Sequence, residues 1–397
     1  MAVTETTTES WGSRLGSSIK GVLIGAALFI AGFPVLFWNE GNSVKTARAI
    51  DEGEGACIAV DSNEKIDPEM NGKLVHMSGK ADTKDVLSDD QFGVSVTAIR
   101  LERNVEMYQW IEESKTSEKK KMGGSVEKTT TYTYKKGWFD HAINSSSFKE
   151  QGHDNPGSME FESDRMYASN VSFGAFRLSK EQIERIGSSQ AYAFPTDFVC
   201  KVERVKRQGN TIYVPNAETR GNALNNRDVV GQTRIGDMRV TFSVVYPHEV
   251  SLISKQHGDT FVAYTAKNGK KLNYLEDGVK DAAAMFETAR TNNAIMTWLV
   301  RVGGFLLMFI GLSMIFKPLS VLADVLPILG DLVEMGMGLV AGLIALICAL
   351  VTIAVAWIFY RPVLGILLLA AAGGLVFVFV KKRMAAKKAK AAEEAVA

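Results

Sequence analysis

The chain has 397 residues, 22% of them charged and 46% hydrophobic, a length that suits two or three domains. Its 45 Lys and Arg nearly cancel its 44 Asp and Glu, for a net charge of +1. That balance supplies none of the basic surface nucleic-acid binding needs, so no nucleic acid is expected as a partner. Only three cysteines occur, Cys57, Cys200 and Cys348, which excludes a disulfide-rich scaffold. Cys57 and Cys200 share one polar block; they are open to pairing if it faces an oxidising space, and two separate buried thiols are the simpler reading.

The averages hide an uneven distribution. Four long runs, 21–38, 291–316, 335–360 and 362–380, are apolar, with Arg301 the sole charge among them. Each approaches the roughly 20 residues a spanning helix needs, so four spans are expected. The first run lacks an Ala-x-Ala cleavage site, carries Pro34 and ends in Phe37-Trp38, which reads as an uncleaved anchor rather than a signal peptide. The tail 381–397 is rich in basic residues, among them Lys381, Lys382 and Arg383, which puts it in the cytoplasm. Four crossings return residues 1–20, with Arg14 and Lys20, to that side. The block 39–290 is then outside: periplasm in a bacterium, lumen in a eukaryote.

Between the second and third runs lies a linker, 317–334, in which Asp324, Asp331 and Glu334 are spaced to share one helix face. Pro318 and Pro327 are expected to break it into short pieces. It reads as a cytoplasmic amphipathic segment in the membrane interface; the sharper alternative is a cation or proton site built on its three acids. Gly21 and Gly25, and Gly338 and Gly342, form G-x-x-x-G pairs that suit close packing within a bundle and self-association equally well.

In the block 39–290 the periodicity changes. Residues 94–101 alternate as a half-buried strand does, and 129–134 (TTTYTY) reads as a second strand. The charged stretch between them, with Lys119, Lys120, Lys121 and Gly123-Gly124, is expected to be a solvated hairpin tip. Ser179 and Gln182 frame a short helix as a capping box does. Residues 236–247, 249–256 and 260–267 read as an antiparallel meander, and 277–289 as a helix leading into the second span. Residues 71–83 loosely resemble 208–219, which raises an internal duplication. The expected fold class is a multi-pass α-helical membrane protein with four spans and a large extracytoplasmic α+β domain, mostly antiparallel β.

Chemistry is hard to find. His76, His141, His153, His248 and His257 make no metal-binding spacing, and no nucleotide-binding or hydrolase motif occurs. No cofactor, metal or catalytic residue is therefore expected, and the chain reads as a non-enzyme. The acidic pairs Asp89-Asp90 and Glu276-Asp277 read as solvated loops. Tyr108, Trp110, Tyr132, Tyr134, Trp138 and Phe139 follow the hairpin and read as packing, with a lipid or peptide groove as the alternative.

Several long stretches resemble the transmembrane protein 43 (LUMA) family: 38–53 (WNEGNSVKTARAIDEG), 101–114 (LERNVEMYQWIEES), 131–148 (TYTYKKGWFDHAINSSSF), 298–312 (WLVRVGGFLLMFIGL), 322–333 (LADVLPILGDLV) and 357–363 (WIFYRPV). The resemblance runs from about Gly21 to Arg383. It implies four spans, a luminal domain and cytoplasmic ends. For animal members it implies residence in the endoplasmic reticulum and inner nuclear membrane, self-association, and organisation of partners such as emerin and lamins. It carries over no catalytic residue. In a bacterium the nuclear partners fall away and the membrane-organising architecture remains. The function expected is a self-associating scaffold that organises membrane proteins or lipids; a transporter using Asp324, Asp331 and Glu334, or a lipid-directed envelope enzyme, are the alternatives.

Overall fold

The computed structural model describes residues 3–203, 205–216 and 231–363. Four helices occur among them: α1 (Trp11–Ala56), α2 (Lys180–Arg185), α3 (Ala282–Ala323) and α4 (Pro327–Tyr360). The chain divides into two compact units.

The helical unit comprises Thr8–Arg48, Lys120–Val126 and the chain from Arg290 onward. Three helices, α1, α3 and α4, are long and apolar enough to cross a membrane. The described residues therefore support three spans rather than four. The expected fourth, 362–380, lies outside them from residue 364, as does the basic tail 381–397. The linker 317–334 is more regular than expected. Residues 317–323 complete α3 with Pro318 inside it, and Pro327 begins α4. Pro318 stands inside α3 and forgoes one intrahelical hydrogen bond, whereas Pro327 occupies the first turn of α4, where a missing N–H is harmless.

Glycines set the approach of α1 to α3. A Cβ on Gly25 would lie 2.6 Å from the Gly311 carbonyl oxygen, and one on Gly311 would lie 2.6 Å from that of Gly25. Seven residues along α1, a Cβ on Gly32 would meet the Met308 Cγ at 2.5 Å. On α4 the small residues Ala341, Ala345 and Ala349 repeat every four positions and pack with Leu36, Met308 and Leu312. Close backbone approach of this kind is how apolar helices associate where water offers no drive.

The β-rich unit comprises Met1–Thr7, Ala49–Lys119 and Glu127–Ala289. One sheet has the order Val3–Glu9, Val126–Phe139, Arg100–Lys120, Met238–Val245, Thr211–Val214, Lys206–Gln208. In the second, His248–His257 pairs with both Thr260–Val262 and Leu74–Asp82, so its pairings close on themselves through Phe176–Arg177 and Ser172–Phe173. Each sheet has its own core: Phe92, Leu101, Val105, Val240 and Phe242 for the first, Met77, Phe173, Phe176, Leu252 and Phe261 for the second. A mixed fold with mostly antiparallel pairing is what is found.

Three expectations need correction. The charged stretch 111–120 is strand, not loop, because opposite charges face across the hairpin, Lys135 Nζ lying 2.5 Å from Glu113 and Lys128 Nζ 3.5 Å from Glu118. The turn is confined to the tip, where Gly123 and Gly124 take φ of 89° and 80°, values that glycine adopts without strain. Strands Met238–Val245 and His248–His257 belong to different sheets, since Pro247 lies between them and cannot donate to a ladder. Segments 71–83 and 208–219 also fall in different sheets with different partners, which does not support a duplication.

The α1–α3 contact predicts that Gly25→Val forces the helices apart at a cost of about 1–3 kcal/mol. A Cβ on Gly338 meets nothing within 4 Å, so Gly338→Ala is expected to be neutral. The midpoint of thermal unfolding in mild detergent checks both; equal midpoints would refute the close contact.

Candidate functional site: ionic clasps at the ends of the helical bundle

At one end of the bundle each helix contributes one side chain to a single contact. Glu40 of α1 is only 2% exposed. Arg301 of α3 donates to both its oxygens, Nε to Oε1 at 2.6 Å and Nη2 to Oε2 at 2.8 Å. Trp357 of α4 donates its Nε1 proton to Oε2 at 2.7 Å. The guanidinium also lies 4.8 Å from the Trp298 ring centre and 5.7 Å from that of Trp357. The paired fork, the third donor and the aromatic faces together replace the water both charges have lost. A polar ladder continues beside the clasp: Thr297 Oγ1 donates to Ser43 Oγ at 2.8 Å and Asn293 Nδ2 to the Ser43 carbonyl at 3.1 Å. Sequence reasoning missed this site. Its signal was Arg301, the sole charge in an apolar run, because a charge among spans requires a partner.

The other end gathers the three acids expected to form a cluster, and supplies bases that were not expected. Asp324, 1% exposed, pairs with Arg14 and with Lys120 Nζ, the latter at 2.8 Å. Lys120 Nζ also lies 2.9 Å from Asp331 and 2.8 Å from Glu334. Lys317 Nζ closes the set, 2.6 Å from the other oxygen of Glu334. Three acids thus meet three bases. Backbone contacts tie the same pieces together: the Gly123 N–H donates to the Val325 carbonyl at 3.1 Å, Trp11 Nε1 to that of Val321 at 2.9 Å, and Arg14 Nη1 to that of Gly124 at 2.6 Å. Burial alone would lower the Lys120 pKa, but its bonds to Asp324, Glu334 and Asp331 outweigh it and hold the ammonium above its ordinary value. For a raised base the stabilisation is complete below the unfolded pKa, about 10.4, and is lost only as pH climbs past the folded value.

One expectation is narrowed here: Lys119 and Lys121 at the tip are exposed as expected, but Lys120 between them keeps only 17% of its side chain exposed. The tip 120–126 is hydrogen-bonded to the linker.

The candidate glycines separate. Gly25 packs on α3, and Gly21 lies 3.7 Å from Met314 by its Cβ position, so both serve contacts within the chain. Gly342 faces Phe309, whereas Gly338 is open.

In the β-rich unit, Asp89 is buried and paired with Arg103, and Asp277 accepts from the Gly187 N–H and bonds His248 Nε2 at 2.9 Å, so neither is a solvated loop residue. The His153 ring stacks on Tyr134 at 4.0 Å and meets Trp110 edge-on at 4.5 Å, which is packing. Cys57 and Cys200 are separate free thiols, and burial raises the Cys57 pKa to about 11. Among the described residues no group of three or more His, Cys, Asp or Glu is placed to hold a metal ion.

A model of the family described as transmembrane protein 43 matches residues 107–362, a stretch holding Arg301, Trp357, Lys120 and all three linker acids. The chain belongs to this family. It is 32% identical to transmembrane protein 43 of Homo sapiens over 386 residues, covering 94% of this chain and 93% of that one. With the Mus musculus protein it shares 32% over 360 residues, 88% and 86% of the two chains. With the Drosophila melanogaster homolog it shares 30%, again over 360 residues, 88% and 91%. No solved structure matches.

Two outcomes are expected at the clasps. Glu40→Ala strands a buried guanidinium, which costs roughly 3–5 kcal/mol, while adding Arg301→Met recovers much of that loss; unfolding midpoints of the single and double variants measure it, and additive losses would rule out the pairing. Asp324→Asn removes the counter-charge of Arg14 and the inner bond of Lys120, which keeps only the more exposed Asp331 and Glu334. Trypsin should then cut faster after Lys119 and Lys121, and an unchanged digestion rate would show that the tip is held otherwise.

Proposed function

We propose that this member of the transmembrane protein 43 family is a non-enzymatic scaffold, which self-associates and organises membrane proteins or lipids around a β-rich domain on a helical anchor. The observation that carries the reading is the neutralisation of the linker acids by the chain's own bases, Arg14, Lys120 and Lys317. An ion or proton relay needs carboxylates that exchange their cation. Here each acid is paired with an ammonium or guanidinium of the chain itself, and those bonds join an N-terminal helix, a hairpin tip and a helix–helix turn. That is the design of a latch. The Glu40, Arg301 and Trp357 contact does the same at the opposite end with one residue per helix.

Self-association has to use a surface other than the α1 glycines, which are engaged with α3. In this reading the end bearing Arg14 and Lys317 is cytoplasmic on charge, and the tip 120–126 belongs to that face. The membrane is that of the endoplasmic reticulum or nuclear envelope in a eukaryote and the inner membrane in a bacterium. Emerin- or lamin-like partners apply to the eukaryotic case alone.

Crosslinking in the native membrane, followed by mass measurement, tests the proposal. A discrete homo-oligomer is expected, and it should survive Asp324→Asn more poorly than the wild type. A monomer at native expression would overturn self-association. A cation flux in proteoliposomes that vanishes when Asp324, Asp331 and Glu334 are all neutralised would favour transport instead.

A further inference from the structure

Beside the Lys120 latch, α3 and α4 do not close completely. Ser313, Phe316, Lys317 and Ser320 recur on one face of α3, at the spacing of successive turns. Glu334, Met337 and Gly338 form the facing strip of α4, and the two strips line an open cavity of about 210 Å³. The cavity exists because position 338 has no side chain: a Cβ there would meet nothing within 4 Å. Its lining is polar at the turn end, with Lys317 and Glu334, and apolar toward the spans.

One polar group inside is unsatisfied. The Ser313 hydroxyl is shielded from solvent and bonds to no protein group, although a serine on a helix has its own backbone carbonyls within reach. A buried hydroxyl without a partner calls for one from outside the chain. Lys317 gives one bond to Glu334 and is still 46% exposed, so its ammonium retains donors that point to no other acid. Glu334 is 44% exposed and keeps acceptor capacity. The site thus offers donors and an acceptor a few ångströms apart, at the depth where a span meets its polar end.

We infer that this cavity holds the headgroup of a zwitterionic phospholipid with a primary ammonium, its phosphate taken by Lys317 and Ser313 and its ammonium by Glu334. Charge argues for a zwitterion. Arg14, Lys120 and Lys317 already balance Asp324, Asp331 and Glu334, so an anionic ligand would leave the site one negative charge in excess. Size argues for a headgroup alone, since the volume is below that of pockets that bury whole small molecules. The acyl chains have a place to go: Leu306 and Ile310 on α3 and Leu339 and Leu343 on α4 are exposed apolar side chains on the same two helices. The inference goes beyond the scaffold reading and does not depend on self-association.

Native mass spectrometry of the full chain, delipidated in mild detergent and titrated separately with phosphatidylethanolamine, phosphatidylcholine, phosphatidylglycerol and inorganic phosphate, tests it. Phosphatidylethanolamine is expected to be retained best. Gly338→Phe, which fills the cavity from α4, should abolish that preference. Ser313→Ala, which keeps the volume, should weaken retention by about tenfold or more, as loss of one hydrogen bond to a charged group would. Equal retention of all three lipids, a preference for phosphatidylglycerol, retention of inorganic phosphate alone, or a preference that survives Gly338→Phe would each overturn the assignment. If Gly338→Phe fails to fold, the Ser313→Ala titration decides, an unchanged affinity counting against the site.

Discussion

A charge held among apolar helices must carry its counter-charge with it, and this requirement organises the helical unit. Removing a carboxylate and a guanidinium from water is costly, and the cost is recovered only when the geometry is good and the leftover lone pairs are met. Glu40 and Arg301 meet that condition through a two-pronged contact, and Trp357 supplies the remaining donor. Because each partner comes from a different helix, the contact also fixes how α1, α3 and α4 are rotated about their axes. Apolar packing alone leaves that rotation loosely specified, since dispersion contacts are non-directional. The glycines then set the distance, Gly25 against Gly311 allowing α1 and α3 to touch through their backbones.

How much of this was legible in the sequence depended on whether a feature was local. The three long apolar helices were, because their runs are long and nearly uncharged. So was the short helix α2, whose Ser179 N–H donates to the Gln182 side chain at 3.0 Å, as a capping box requires. The three linker acids also come together as their spacing suggested. Their partners were invisible because they are remote: Arg14 lies 310 residues from Asp324, and Lys120 lies 214 from Glu334. Lys120 reads the same in sequence as its exposed neighbours Lys119 and Lys121, although its ammonium meets Asp324, Asp331 and Glu334. Only the fold decides between them.

The β-rich unit shows the complementary limit. Alternation marked the strands around 94–110 and 236–256 correctly, but alternation is blind to sheet membership. Val240 faces Val105 in one sheet and Leu252 faces Met77 in the other, although only a Tyr-Pro corner separates the two strands in sequence. Charge density was misleading for a related reason. A stretch rich in Lys and Glu reads as loop when its own composition is weighed, yet it forms strand when the opposite strand carries the complementary charges, as Glu113 and Lys135 do.

The two ends of the bundle differ in a way that bears on what the anchor can do. The Glu40 contact is compact and sealed by tryptophan faces, so it behaves as a fixed rivet. The Asp324 cluster is broader, graded from a carboxylate 1% exposed to one 71% exposed at Asp331, and it bonds to a hairpin tip rather than to a third helix. Exposed ion pairs contribute little and are screened by salt, whereas buried ones are not. Lys120 touches both kinds of acid at once. Its outer bonds are therefore exchangeable while its inner bond to Asp324 persists, so the tip has a graded rather than all-or-none attachment. A latch of that kind keeps the hairpin tip registered on the helices while leaving the outer carboxylates free to exchange partners.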